Sequence, residues 1–375
     1  MKIYFQLFVE LFRIALFVIG GGYAILAVAD QVFAKRKWTR DGELLDELPV
    51  FQMVPGIIAT HTAVYIGRKM AGWKGAVVGV VAVALPSVII FTLVSMGYDS
   101  LPLENPHVVH ASVGLRCALT GIVGATVARS WLKASKDAFF YGLLVVALAA
   151  LFCGVPVWVV LVAAMAAGLV AVFASRPSAD GASSSKARRF CSIAWLPLLH
   201  FLKYGLLCFG GGFVLVPMYI EDFVGPSASA LQVSAEEFSN LMALTQMTPG
   251  PIGVNGATYF GFRLGGIPGA LIASAVLLLP GSVLLYCALA SLDRFKTSRV
   301  VRGILRGTKP ASTALMVVAL WAFLGMSVWD GGAFHPFSLA LVAACFAATF
   351  RRWVGPVLLI VLTAGLAVLC LGLFS

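Results

Sequence analysis

Apolar stretches long enough to cross a lipid bilayer recur along almost the whole chain, from near Tyr4 to Ser375. A bilayer core about 30 Å thick is spanned by roughly 20 apolar residues in a helix. Hydrophobic residues make up 60% of the 375 residues and charged residues 11%, whereas soluble domains are about 45–50% apolar and about 25% charged. The sequence therefore predicts an all-α polytopic membrane protein whose partner is the lipid bilayer.

Positive charge is concentrated in short clusters between these apolar segments. The formal net charge is +11, but the clusters do not form one basic face, so we expect no nucleic-acid partner. Short basic clusters are typical of the cytoplasmic loops of a multi-pass membrane protein. Glu10 and Arg13 interrupt the first apolar run, so we expect that run to stay as a membrane helix rather than to be a cleaved signal peptide.

An internal repeat divides the chain into two halves. Gly20-Gly21-Gly22-Tyr23 is echoed by Gly210-Gly211-Gly212-Phe213, 190 positions later. Gln52-Met53-Val54-Pro55-Gly56 is echoed by Gln246-Met247-Thr248-Pro249-Gly250, 194 positions later. We predict a first membrane repeat over residues 1–174, a basic cytoplasmic linker over 175–195 and a second, inverted membrane repeat over 196–375.

The inversion follows from the charges of the loop behind each glycine triplet. The first loop is basic and the second is acidic, with Lys35, Arg36, Lys37 and Arg40 against Glu221, Asp222, Glu236 and Glu237. Equivalent loops therefore lie on opposite sides. A re-entrant hairpin broken at Pro55-Gly56 keeps all basic loops on one side. Each repeat is thus predicted to have about five transmembrane helices, the first over 4–28 or 196–219, plus one re-entrant broken-helix hairpin, with both termini extracytoplasmic.

The two broken segments are the candidate binding site. Irregular backbone at membrane depth is tolerated where it lines a cavity, and matched breaks in two repeats often mark a transporter's substrate site. Proline suits the first turn of a half-helix, whose free N–H groups attract anions. The alternative is that these residues only allow kinks and close helix contacts. The candidate binding residues are Gln52, Pro55, Gly56, Gln246, Thr248, Pro249, Gly250, Asn255, Gly21, Gly22, Gly211 and Gly212.

Ionisable residues inside membrane segments form a second candidate set. They are costly there and usually face a cavity, although long side chains also reach the interface. Matched pairs in the two halves favour a role in compensating a dianion. His61 is the histidine of the first hairpin, and it is a candidate for carrying a coupling proton or for an ordinary hydrogen bond. The basic candidates are Arg13, Lys203, Arg116 and Lys309.

Motifs of enzymes and metal sites are missing from the sequence. It contains no GxxxxGK[ST], HExxH or GxSxG motif, and its cysteines lack zinc-site spacing. We therefore expect no catalytic activity, no cofactor and no metal. Without an ATP site, uphill transport must draw on an ion gradient or an exchanged solute.

The repeated motifs resemble the chromate transporter (CHR) family in its two-domain fused form. The similarity lies in the glycine triplets, the Gln-x-x-Pro-Gly segments, the Tyr-x-Gly that follows each, and the glycine-rich entry to the next helix. This resemblance implies an inner-membrane transporter that expels chromate, a tetrahedral dianion like sulfate. The family's second proline is present at Pro251 but is replaced by Ile57 in the first copy.

The sequence thus predicts a secondary transporter of a small tetrahedral oxyanion, chromate or sulfate, with efflux as the expected direction. The anion would lie between the two broken hairpins at the interface of the repeats. The alternatives are a passive anion channel and a carrier of another organic or inorganic anion on the same scaffold. A membrane-embedded enzyme or assembly subunit is disfavoured by the missing motifs. A homodimer is one assembly that the sequence allows.

Overall fold

Helices make up nearly all of the protein in this computed structural model. It describes residues 2–18, 21–98, 105–133, 137–173, 196–209, 212–224, 231–290, 299–330, 333–351 and 353–372, so the expected linker lies outside the described residues. The first repeat contains α1 (Lys2–Phe17), α2 (Gly21–Lys35), α3 (Glu43–Asp46), α4 (Leu48–Met53), α5 (Ile58–Tyr98), α6 (Pro106–Lys133), α7 (Ala138–Phe152) and α8 (Val157–Phe173).

The second repeat follows the same order of helices. It contains α9 (Leu196–Leu207), a 3-10 turn (Gly212–Val214), α10 (Leu215–Phe223), α11 (Ala235–Met247), α12 (Ile252–Ala290), α13 (Arg299–Val328), α14 (Pro336–Phe350) and α15 (Pro356–Gly372). Two short antiparallel strands, β1 (Trp329–Asp330) and β2 (Ala333–Phe334), follow α13.

Four of the described helices are long and apolar enough to cross a membrane. They cover Ile58–Gly97, Pro106–Arg129, Ile252–Ala290 and Arg299–Val328, and four shorter apolar helices accompany them. The prediction of an all-α polytopic membrane protein is confirmed.

The long helices α5 and α12 are sharply bent at equivalent positions. Gly72 has φ +65° and Gly266 has φ +60°, a conformation that residues other than glycine rarely adopt. The bend divides each helix into two segments that pack against each other. In α5 the segments are 58–70 and 73–98, and in α12 they are 252–264 and 267–290. A Cβ on Gly67 would lie 2.3 Å from the Gly75 carbonyl oxygen, so the two segments pack backbone against backbone.

The chain reverses at both broken segments. The Phe51 ring packs against His61 and Tyr65, with centroid distances of 6.3 and 5.8 Å. Helix α4 therefore runs back along the first segment of α5, and the chain reverses at Pro55-Gly56. In the second repeat Asn255 bonds to the Thr245 carbonyl across the reversal at Pro249-Gly250. We call residues 48–70 proline hairpin 1 and residues 235–264 proline hairpin 2.

The chain also reverses between α1 and α2 and between α9 and α10, which the sequence analysis did not predict. Glu10 on α1 pairs with Arg36 just after α2, and a continuous helix would hold these residues about 39 Å apart at 1.5 Å per residue. In the second repeat the Phe201 and Phe223 rings stack at 6.0 Å. We call residues 2–35 glycine hairpin 1 and residues 196–223 glycine hairpin 2.

Single crossing helices over 4–28 and 196–219 are therefore not what the structure contains. The prediction was wrong there because an apolar run reads as one span, whereas three consecutive glycines weaken a helix by about 1 kcal/mol each. Helices α5 to α8 and α12 to α15 remain as the candidates for crossing.

The later helices of the two repeats interleave. Helix α6 packs against α13, α14 and α15, while α13 packs against α7 and α8. Helices α6 and α13 are equivalent and run antiparallel: Arg116 bonds to the Met326 carbonyl, and Thr120 bonds to the Phe323 carbonyl. Antiparallel equivalent helices are the relation that inverted repeats require. Glycines allow close approach here, since a Cβ on Gly307 would lie 1.7 Å from the Ala164 carbonyl oxygen.

Candidate functional site

The same bond fastens the arms of both proline hairpins. His61 Nδ1 lies 2.8 Å from the Phe51 carbonyl oxygen, and Asn255 Nδ2 donates to the Thr245 carbonyl oxygen at 3.4 Å. His61 and Asn255 are equivalent, as are Phe51 and Thr245. Each side chain is fully buried five residues after its tip glycine. We call these two hydrogen bonds, made by His61 and Asn255, the staples. They hold the two tips in the same backbone shape.

Each tip packs against a long helix of the opposite repeat. A Cβ on Gly56 would lie 3.0 Å from the Gly281 Cα on α12 and 2.5 Å from His61 Nε2. A Cβ on Gly250 would lie 2.0 Å from Ser87 Oγ on α5. Both tip glycines have positive φ, 135° and 100°, where a side chain is strained. The tips thus meet at the boundary between the repeats.

The glycine hairpins pack against the first turn of the half-helix that follows each tip. A Cβ on Gly22 would lie 3.1 Å from the Ala59 nitrogen, and one on Gly212 would lie 3.1 Å from the Gly253 nitrogen. Both nitrogens belong to the first turn of the half-helix after a tip. The Gly56 N–H donates to the Cys208 carbonyl at 2.7 Å, just before the second triplet. Gly21 begins α2 and Gly211 lies outside the described residues.

Three buried polar atoms at the tips have no hydrogen-bond partner among the described residues. They are His61 Nε2, Ser87 Oγ and Asn255 Oδ1, on side chains that are all 0% exposed. Unpartnered buried polar atoms are costly and uncommon. Such a cluster, contributed by both repeats, is suited to a polar ligand.

The two candidate glutamines differ in environment. Gln52 is half-buried and donates to the Tyr23 hydroxyl at 3.0 Å. Gln246 is buried near the end of α11. The Thr248 hydroxyl bonds to the Leu244 carbonyl at 2.6 Å, so it supports the end of α11.

Two matched polar triads lie at the open ends of the proline hairpins. Glu43 Oε1 accepts bonds from the Tyr65 hydroxyl at 2.9 Å and from Lys69 Nζ at 2.5 Å. We call these three residues brace 1. They join α3, just before proline hairpin 1, to the end of that hairpin.

The equivalent triad in the second repeat is brace 2. Glu237 accepts from the Tyr259 hydroxyl at 2.5 Å and pairs with Arg263 at 3.4 Å. The sequence analysis missed both braces, although all three positions recur at the constant spacing of 194. That spacing was the available signal.

The four basic candidates do not meet at the tips. Arg13 and Lys309 are exposed, and Lys203 pairs with Asp222 at 3.3 Å. Arg116 is buried and pairs with Glu236 at 3.4 Å. Glu236 and Gln246 stand ten residues apart on α11, about 15 Å along the axis at 1.5 Å per residue. The tips are therefore polar but are built without these cations.

An apolar cavity of about 520 Å³ lies between the second segments of α5 and α12. Its lining is almost wholly aliphatic, with Ser274, Ser282 and Tyr286 as the polar exceptions. Such a lining cannot compensate a charged ligand, so the tips are the stronger candidate. The described residues include no cluster of His, Cys, Asp or Glu able to hold a metal ion.

Comparisons with known proteins agree on one family. The chromate transporter family matches residues 5–169 and 195–369. YwrA of Bacillus subtilis (strain 168), described as an uncharacterized transporter, is 33% identical over 123 residues, which are 33% of this chain and 67% of that protein.

Longer matches extend across both repeats. The uncharacterized transporter MJ0718 of Methanocaldococcus jannaschii is 25% identical over 357 residues, covering 87% of this chain and 85% of that protein. The chromate transport protein of Pseudomonas aeruginosa is 31% identical over 298 residues, covering 74% and 70%. No solved structure matches. The chain belongs to the chromate transporter family, whose members are transporters and not enzymes.

Proposed function

We propose that this protein is a secondary transporter of a small tetrahedral oxyanion, chromate or sulfate, bound between the two proline hairpin tips. The observation that carries the proposal is the meeting of two half-helix N-termini. The first intrahelical bonds run from His61 N–H to Ile57 and from Val254 N–H to Pro251. The N–H groups before them have no helical partner, and such groups are a ready site for an anion.

The glycine triplets support the same proposal. A methyl group at Gly22 or Gly212 would stand over the first-turn nitrogen of Ala59 or Gly253. Glycine leaves these N–H groups uncovered. Gln52 and Gln246 add neutral amide donors at the ends of α4 and α11.

The expected direction, efflux, follows from the charge of the substrate. A membrane potential acts on each elementary charge with about 2.3 kcal/mol per 100 mV. An inside-negative potential therefore favours outward movement of a dianion. The relatives that are named chromate transport proteins support the choice of oxyanion.

Orientation is a further part of the proposal. The antiparallel course of α6 and α13 supports inverted repeats, with the basic loops at the cytoplasmic face. The pair between Glu10 and Arg36 holds α1 beside the loop that follows α2. We therefore assign the start of α1 to the cytoplasmic face, in place of the extracytoplasmic position expected from the sequence.

Flux in proteoliposomes tests the proposed function. We expect saturable exchange of labelled sulfate and chromate, with trans-stimulation by either anion. Gln246→Ala should lower the rate more than Gln52→Ala, because Gln246 is buried whereas Gln52 is half-buried beside Tyr23. Arg116→Ala tests the basic candidates. Flux that does not saturate would favour the channel, and the absence of sulfate and chromate flux would overturn the proposal.

A further inference from the structure

The two staples that fasten the hairpins differ in one chemical property. Asn255 fastens proline hairpin 2 with a side chain that does not titrate, so the staple itself does not require a titratable group. His61 fastens proline hairpin 1 with a ring that does. Because its Nδ1 faces the Phe51 carbonyl oxygen at 2.8 Å, Nδ1 must be the donor. The neutral ring therefore carries its free lone pair on Nε2.

That lone pair is directed to the meeting point of the repeats. Nε2 has no partner among the described residues. A Cβ on Gly56 would lie 2.5 Å from it, and one on Gly281 of the opposite repeat would lie 3.4 Å from it. A proton added at Nε2 would thus place a donor and a positive charge between the tips.

A dianionic substrate carries more negative charge than the two helix ends offset. Each half-helix N-terminus contributes about half an elementary positive charge, so two ends offset about one of the two negative charges of a dianion. The ion pairs that the structure describes lie at the hairpin bases or farther away. One added proton would offset most of the remaining charge.

The groups closest to His61 Nε2 are neutral glycines of the two repeats. Gly281 on α12 and Ser87 on α5 contribute no charge, and neither do tyrosines or a buried thiol at neutral pH. Titratable side chains on these elements include Tyr65, Arg68 and Lys69 on α5 and Tyr259, Arg263 and Tyr286 on α12, with Tyr23, Glu47 and Cys208 on neighbouring segments.

We infer that His61 is the proton-binding group of this transporter and that one proton on Nε2 binds together with each oxyanion. The inference rests on the proposed function, because it assigns the proton to the same site. The proton adds to the Nε2 lone pair from water on one side and leaves to water on the other. No bond to the oxyanion forms or breaks.

Counting protons during binding tests the inference directly. Sulfate is titrated into purified protein in weakly buffered detergent solution containing a pH indicator. The wild type should take up as much as one proton per sulfate bound. Its affinity for sulfate should fall by up to about tenfold for each unit by which the pH is raised, which is the limit for one linked proton. His61→Asn, which copies the staple of Asn255, should bind sulfate more weakly, with no proton uptake and no pH dependence. His107→Asn, an exposed control on α6, should match the wild type.

The outcomes separate the two proposals. Sulfate binding by the wild type without proton uptake would overturn this inference alone, as would undiminished uptake in His61→Asn. A wild type that binds neither sulfate nor chromate would overturn the proposed function as well. If His61→Asn does not fold, the wild-type proton count still decides, with His61→Gln as the second variant.

Discussion

The tip of proline hairpin 1 ends against a glycine of the opposing repeat, whereas the tip of proline hairpin 2 ends against a serine. The backbone course, the tip glycine and the staple are shared. The side chains differ: His61 and Ile57 stand where Asn255 and Pro251 stand in the second copy. The two copies share the course of the backbone at the tips, while the side chains around it have diverged.

The largest loss of transport is expected from a side chain added at a tip glycine. Gly250→Ala would place a Cβ 2.0 Å from Ser87 Oγ at φ +100°, and a left-handed conformation costs about 1–2 kcal/mol for a residue with a Cβ. We expect transport to fall at least about tenfold, since 1.4 kcal/mol corresponds to that factor. Initial rates of exchange in proteoliposomes measure it. Normal rates would show that the tip is not at the site.

Relief of the same overlap distinguishes the two tips. Ser87→Gly should restore part of the activity of Gly250→Ala, because the closest atom to the new Cβ belongs to the serine side chain. Gly56→Ala has no equivalent remedy, since its Cβ would also meet the Gly281 backbone at 3.0 Å. Exchange rates of the double variant check this. No recovery would assign the whole defect to backbone strain.

Loss of a brace should affect stability more evenly in the two repeats. Glu43→Gln and Glu237→Gln each remove a charged acceptor of two bonds, and hydrogen bonds to charged groups contribute about 1.5–3 kcal/mol when buried. Because the braces are partly exposed, we expect a loss of about 1–2 kcal/mol in each. Thermal unfolding in detergent measures it. A destabilisation of only one repeat would show that the braces are not equivalent.

Acid should weaken brace 1. Partial burial alone would raise the pKa of the Glu43 carboxyl, but bonds from Lys69, the Arg40 amide and Tyr65 outweigh it and hold that pKa below its usual range. A depressed pKa in the folded state stabilises above the unfolded value of about 4.3, and the gain is lost as pH falls through the folded pKa. Unfolding temperatures of wild type and Glu43→Gln should therefore converge below about pH 4. A constant difference at all pH values would contradict this.

The smallest expected effect is that of Lys69→Arg, which gives brace 1 the cation of brace 2. Both cations reach the same carboxylate oxygen of their glutamate, so we expect a change within about 0.5 kcal/mol, as for most partly exposed substitutions. Tyr65→Phe is the matched control that removes one donor. A larger loss in Lys69→Arg than in Tyr65→Phe would mean that the shape of the cation matters.

The breaks at Pro55-Gly56 and Pro249-Gly250 could be predicted because proline and glycine interrupt apolar helices in any context. Their equivalence followed from the constant spacing of the repeat. The glycine triplets also indicate a break, but nothing local in an apolar run shows whether the chain crosses the membrane or turns back after the break. The pair between Glu10 and Arg36 exists only once the chain has reversed.

The charged residues show the same limit. Arg116 and Lys203 were singled out because charge inside an apolar segment is costly. Their position within apolar segments did not predict that Arg116 pairs with Glu236 and Lys203 with Asp222. Those contacts depend on hairpins whose arms are distant in sequence. Glu43 and Glu237 were passed over as loop residues for the same reason.

The interleaving of α6 to α8 with α13 to α15 determines what can move as a unit. The four hairpins and the long segments of α5 and α12 pack mainly with one another, and the later helices of both repeats pack mainly with one another. A rotation of one whole repeat against the other would disrupt the packing between α6 to α8 and α13 to α15. A motion that keeps both packings intact would move the hairpins as one unit against the later helices of both repeats, and α11 packs against those later helices.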